Sequence, residues 1–113
     1  MKLKALFIAV ALVLAATATA DFRTVQLAHE VALTNLRLPS SESGTIGFKA
    51  CADCEYQTEQ VTVETLWSIN GRRVSLADFR KGIARVPKRD EVYVTVLEHL
   101  EEDRVTEVSV VLR

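Results

Sequence analysis

Apolar and polar residues alternate with a period of two over much of the chain, the pattern of half-buried strands. Thr45 to Lys49 puts Ile46 and Phe48 on one face and Thr45, Gly47 and Lys49 on the other. Gln60 to Ile69 is rich in β-branched and aromatic residues; Val61, Val63, Thr65 and Trp67 share a face, which predicts one continuous strand. Asn70-Gly71 follows, and both residues tolerate the positive φ of a type I′ turn, so Arg72 to Ser75 reads as the returning strand. Val92, Val94 and Val96 alternate with Tyr93, Thr95 and Leu97. Val105 opens a further strand in which Thr106, Val108, Val110 and Leu112 oppose Glu107, Ser109 and Val111, with Glu101-Glu102-Asp103 as the hairpin tip.

The period changes only once in this half. Ser75 fits a helix N-cap, and Leu76, Phe79 and Ile83 form an apolar stripe over a short helix near residues 76–84. Gly82 limits that helix to about two turns, and Pro87 closes the connection. Residues 23–38 fit two patterns. A helical face runs through Val25, Ala28, Ala32 and Leu36, and a strand from Glu30 to Leu38 is equally consistent. Pro39 ends either element, because the residue before proline is pushed out of the α region. A Val-rich strand with Tyr93, Thr95 and Leu97 on its other face reads as well buried, which closure into a barrel would explain. The expected architecture is therefore mainly β: a small single-domain β-barrel, or a strongly curved antiparallel sheet, with one short helix.

The first twenty residues follow a different rule. Lys2 and Lys4 precede an unbroken apolar run from Ala5 to Ala16, and Ala18-Thr19-Ala20 offers small residues before Asp21. That is the pattern of a secretory signal peptide, so residues 1–20 are expected to be removed and 21–113 to form one β-rich domain. The run is too short for a comfortable membrane span, and the mature chain is not expected to cross one. The 113-residue chain carries 14 Lys+Arg against 15 Asp+Glu. Losing Lys2 and Lys4 leaves the mature domain mildly acidic, which with export gives no case for nucleic acid as a partner. The expected location is periplasmic or secreted, where disulfides form.

Cys51-Ala52-Asp53-Cys54 is the motif with most chemical content. In an exported chain the pair reads as a structural disulfide closing a four-residue ring, which helps a domain this small. A redox role would want a helix starting at the pair to lower a thiol pKa, and the sequence instead offers Asp53 and Glu55. A structural metal site needs four ligands; His29 and His99 carry no spacing signature, and each reads equally as a surface histidine. No metal or other cofactor is expected. Trp67 and Tyr93 read as core packing or, less simply, as an aromatic binding face. Arg72, Arg73, Arg80, Lys81, Arg85, Lys88 and Arg89 form the basic concentration of the chain, suited to a phosphate or an acidic partner, although Asp78, Asp90 and Glu91 are interspersed among them. There is no Gly-x-Ser-x-Gly elbow, phosphate loop or dinucleotide glycine pattern to support catalysis.

The run Gly44-Thr45-Ile46 through Cys51-x-x-Cys54, then Trp67-Ser-Ile-Asn70-Gly71-Arg-Arg-Val74-Ser-Leu76-Ala-Asp-Phe79, then Val105-Thr106-Glu107-Val108, resembles uncharacterised small secreted proteins of Proteobacteria. The second half also looks like small OB-like or SH3-like β-barrel domains. The resemblance implies a periplasmic β-rich domain and carries no catalytic motif. The expected role is a periplasmic accessory or interaction module whose partner is another periplasmic protein. The alternative is a small thiol–disulfide or metal-handling protein using Cys51 and Cys54.

Overall fold

The computed structural model describes residues 25–113; the export segment read at residues 1–20 lies outside them. The chain runs through β1 (Gln26–Ala32), a 3-10 turn (Leu33–Asn35), β2 (Leu36–Arg37), β3 (Thr45–Phe48), β4 (Gln57–Gln60), β5 (Leu66–Ile69), β6 (Arg72–Val74), α1 (Leu76–Ala84), β7 (Tyr93–His99) and β8 (Arg104–Val110). This is the mainly β domain with one short helix that the patterning predicts.

All eight strands join one sheet in the order β1-β7-β8-β4-β3-β2, with β5 beside the far half of β8 and β6 outside β5. The sheet does not close into a barrel, and it is mixed, because β4 and β5 both run parallel to β8. Parallel neighbours need a crossover, and the passage from β6 through α1 to β7 supplies it. The sheet nonetheless coils on itself. His29 on β1 lies against the ring of Phe48 on β3, centroids 4.9 Å apart, although three strands separate β1 from β3 in the sheet order. The two edge strands β1 and β2 are consecutive in the chain, so a single 3-10 turn carries the backbone from one edge to the other.

Several local expectations are corrected. Residues 26–32 are strand, settling the helix-or-strand alternative, but the strand ends at Ala32 rather than running to Leu38. Leu33 is fully buried and its N–H donates to Val92 O at 2.8 Å, which turns the chain inward. The single strand expected over Gln60–Ile69 is broken at 61–65. Thr62 and Thr65 use their own hydroxyls here: Thr65 Oγ1 accepts from Thr62 N–H at 3.0 Å, and Thr62 Oγ1 accepts from Glu64 N–H at 3.2 Å. Such side-chain bonds offer the backbone an alternative to the ladder. They tip Val63 out to 72% exposure while Val61, Thr65 and Trp67 stay inside.

Along β8 the buried residues are Val105, Val108 and Val110, not a strict alternation from Thr106. The cause is a bulge: Leu97 faces Glu107 and Glu98 faces Val105, leaving Thr106 as the extra residue. Tyr93 is 56% exposed, so β7 is not buried on both faces as its pattern suggested.

The core lies inside the coil. Val31, Ile46, Phe48, Val94, Val96 and Val108 are fully buried, and α1 closes the β5–β6 end with Leu76, Phe79 and Ile83. Ser75 Oγ accepts the Asp78 N–H at 3.1 Å as the expected N-cap. Arg89 Nη1 donates to Ile83 O at 2.7 Å at the other end of the helix. Phe79 packs on Trp67 with ring centroids 5.2 Å apart. Gly82 stands where a Cβ would come 2.7 Å from Ile69 Cδ1, so its missing side chain lets α1 approach β5. Asn70 and Gly71 have φ of 53° and 80°, as the predicted tight turn demands.

Candidate functional site

The basic residues singled out in the sequence fall into one lobe, formed by β6, α1 and the loop after it. Seven of the fourteen Lys+Arg lie between positions 72 and 89, against one acid, Asp78, of the fifteen Asp+Glu. Arg72, Arg73, Arg80, Lys81, Arg85 and Lys88 are all exposed. Among the described residues none of these six takes part in an ion pair. Arg89 is different: half-buried, it is spent on the Ile83 carbonyl. The lobe is not one plane. Arg72 and Arg73 alternate along β6, opposite Ile69 and Ser68, and so point to its two sides. Helix α1 adds Arg80 and Lys81 on its solvent side, since Leu76, Phe79 and Ile83 take the inner one. The charges are thus displayed on three sides of a thin edge of the molecule.

A groove of about 560 Å³ adjoins this lobe where α1 ends. Val86, Pro87, Val92 and Leu112 line it, and Arg85 and Arg113 bring positive charge opposite one Glu91. Tyr93 and Val111, 56% and 70% exposed, add apolar surface. The groove can take an apolar side chain while the arginines meet a carboxylate. The aromatic pair weighed from sequence is therefore split: Trp67 is a core residue, and Tyr93 lines surface grooves.

Cys51 and Cys54 form a disulfide in the turn between β3 and β4, with Cα atoms 5.0 Å apart and the Cys54 N–H donating to Cys51 O at 3.2 Å. Cys51 is exposed and Cys54 half-buried. Three residues later the chain is β4, not helix, so no helix N-terminus faces the sulfurs. The loop is braced by Tyr56, whose ring has the Arg37 guanidinium carbon 3.9 Å and the Lys49 ammonium 5.1 Å from its centroid.

The two histidines do different things, and neither joins the cysteines. Among the described residues no three His, Cys, Asp or Glu side chains are grouped as metal donors. His99 lies at the β7–β8 tip, where its Nδ1 accepts the Glu102 N–H at 3.2 Å. His29 is not a surface residue: its side chain is 13% exposed, with Nε2 3.0 Å from Glu98 Oε2. Glu98 is 11% exposed at the side chain. On β4, burial, followed by hydrogen bonding to Glu98 and the nearby charges of Glu98 and Asp103, pushes Glu59 up from 4.5 to about 7, with His29 acting the other way.

Sequence reasoning missed this cluster. The signal was present in the phase of β7: Glu98 continues the buried register of Val94 and Val96, where an apolar residue is expected. The chain matches no protein-family description, no curated protein and no solved structure.

Proposed function

We propose that this chain is an exported accessory or interaction module that engages an acidic partner protein through its β6–α1 lobe and the groove beside it. One observation carries the reading: half of the basic residues are gathered at one edge, six of them exposed and without an ion pair among the described residues. A small domain has no structural use for such a concentration, because like charges side by side oppose the fold. The cost is offset when an acidic surface meets them, and the groove adds an apolar anchor of the kind that dominates interface energies. The Cys51–Cys54 bridge then serves as a staple for the β3–β4 turn. No helix in the described residues is long and apolar enough to cross a membrane.

The test uses the mature chain with polyglutamate as an acidic polypeptide probe and phosphatidylglycerol vesicles as an anionic surface. The reading expects polyglutamate to bind, with affinity falling steeply as salt rises, and R72E/R80E/K81E to abolish it without loss of fold. Vesicle binding without polyglutamate binding would replace the protein partner by a lipid surface. Binding insensitive to those substitutions would remove the lobe from the account.

The second reading, disulfide exchange or metal handling at Cys51 and Cys54, draws on the exposure of Cys51 beside a groove of about 320 Å³. No helix N-terminus faces the sulfurs, and Asp53 within the turn and Glu55 beside it act against a thiolate, while Lys49 in the same groove acts for one.

A further inference from the structure

We propose that the groove and the outer side of α1 together read one linear motif: an extended segment with a leucine-sized apolar residue and carboxylates at the second and fourth positions on one side of it. The inference rests on the reading above and names what the basic lobe takes hold of in its acidic partner.

The groove fixes the apolar end of the motif. Val86, Val92 and Leu112 are half-buried and pack on the core, so the floor of the groove is continuous with it. Pro87 adds apolar surface and carries no backbone donor that an apolar guest would leave unpaired. Tyr93 and Val111 expose apolar surface here that one inserted side chain would cover.

Arg85 and Lys81 fix the charged end. Arg85 belongs to both surfaces, because it lines the groove and stands at the C-cap of α1. Lys81 lies four residues earlier, hence on the same side of the helix and about 6 Å away. Leu76, Phe79 and Ile83 hold the opposite side against the core. Neither cation is engaged in an ion pair among the described residues. The negative end of the helix dipole, which would repel a carboxylate, is offset by Arg89 donating to Ile83 O at 2.7 Å.

Spacing and sign then set the order of residues. An extended chain repeats its side chains on one face every 6.7 Å or about that, close to the separation of Arg85 and Lys81. Carboxylates at alternate positions reach both cations, whereas adjacent ones point to opposite faces. Asp78, three residues before Lys81, ends the track after two cations. Glu91 in the groove disfavours a further carboxylate beside the apolar residue, which leaves the acids on the α1 side.

The test is amide NMR titration of the mature chain with capped nonapeptides built on Leu-Thr-Glu-Thr-Glu, in both chain directions, alongside polyglutamate. One direction should shift the amides of Arg85, Val86 and Leu112. It should bind about tenfold tighter than its Leu-to-Ala counterpart and than Leu-Glu-Thr-Glu-Thr, in which the acids are moved by one position. V111D alters an exposed position, so the fold should hold; it should erase the leucine advantage and leave polyglutamate binding in place. K81E should weaken the peptide and polyglutamate alike. A leucine peptide no tighter than the alanine one, with polyglutamate still bound, would overturn this inference and leave the basic lobe standing. Failure of polyglutamate as well would remove both. Equal affinity for the peptide with shifted acids would overturn the spacing. Shifts at Leu100–Asp103 that grow with protein concentration would give the groove to the acidic β7–β8 tip of a second copy, and would overturn it too.

Discussion

Asn70 Oδ1 accepts the backbone N–H of Leu112 at 2.7 Å, tying the tip of the β5–β6 hairpin to the chain just past β8. The same residue holds φ at 53° for the turn and donates its own N–H to Val110 O at 2.9 Å. Substituting alanine removes the side-chain bond and puts a Cβ-bearing residue without a local polar partner in the left-handed region. The expected loss for N70A is about 2 kcal/mol. N70G relieves the backbone but not the bond and should lose about half as much. Urea denaturation of the two variants checks the order; an N70G as stable as the parent chain would mean the tie to Leu112 contributes nothing.

Thr65 is the second small polar residue with a structural task. Its buried hydroxyl donates to Val105 O at 2.7 Å and accepts the Thr62 N–H, so it both breaks the strand and locks the break onto β8. T65V keeps the shape and strands the partners, with an expected cost of about 2 kcal/mol. T65S should cost less than about 1 kcal/mol. Thermal or urea unfolding distinguishes them.

These two residues show how the sequence could and could not be read. Asn70-Gly71, Ser75 and the Leu76/Phe79/Ile83 stripe are local signals, and the hairpin and helix they predict are present. Thr62 and Thr65 look like good strand formers in isolation, because β propensity says nothing about a hydroxyl finding Val105 forty residues away. The open, mixed sheet was likewise out of reach. Whether β5 lies parallel to β8 is decided by where α1 returns the chain, and no alternation of residues encodes that. The basic lobe was legible as residues but not as an unneutralised cluster. His29 and Glu98 are 69 positions apart, so their pairing had no sequence signature.

Stability should depend on pH in a particular direction. The Glu59 carboxyl binds its proton more tightly in the folded chain, at about 7, than at the ordinary 4.5. Its contribution is therefore fully present below about pH 4.5 and is lost as pH rises through 7. The expected decline between pH 5 and pH 8 is about 1–2 kcal/mol, reduced from the full shift because the carboxyl keeps some solvent access. Urea midpoints across that range measure it, and E59Q should flatten the curve and raise stability at pH 8.

The disulfide should be stabilising and inert. Replacing both cysteines in C51S/C54S is expected to lower stability by about 2 kcal/mol, the loop-entropy figure for so short a ring. It should leave partner binding unchanged. The redox midpoint, read by alkylation across a thiol–disulfide buffer series, is expected below about −300 mV. A midpoint between roughly −120 and −230 mV would move the functional centre to the cysteines.

The most direct test of the account is site-specific photocrosslinking in cells that express the full chain. One probe replaces Lys81 on the basic lobe, and a second replaces Ala52 between the cysteines; both positions are exposed. The account predicts a discrete adduct with an acidic protein from Lys81, diminished when R72E and R80E are added, and none from Ala52. An adduct from Ala52 alone would contradict it and place the working surface at the disulfide turn.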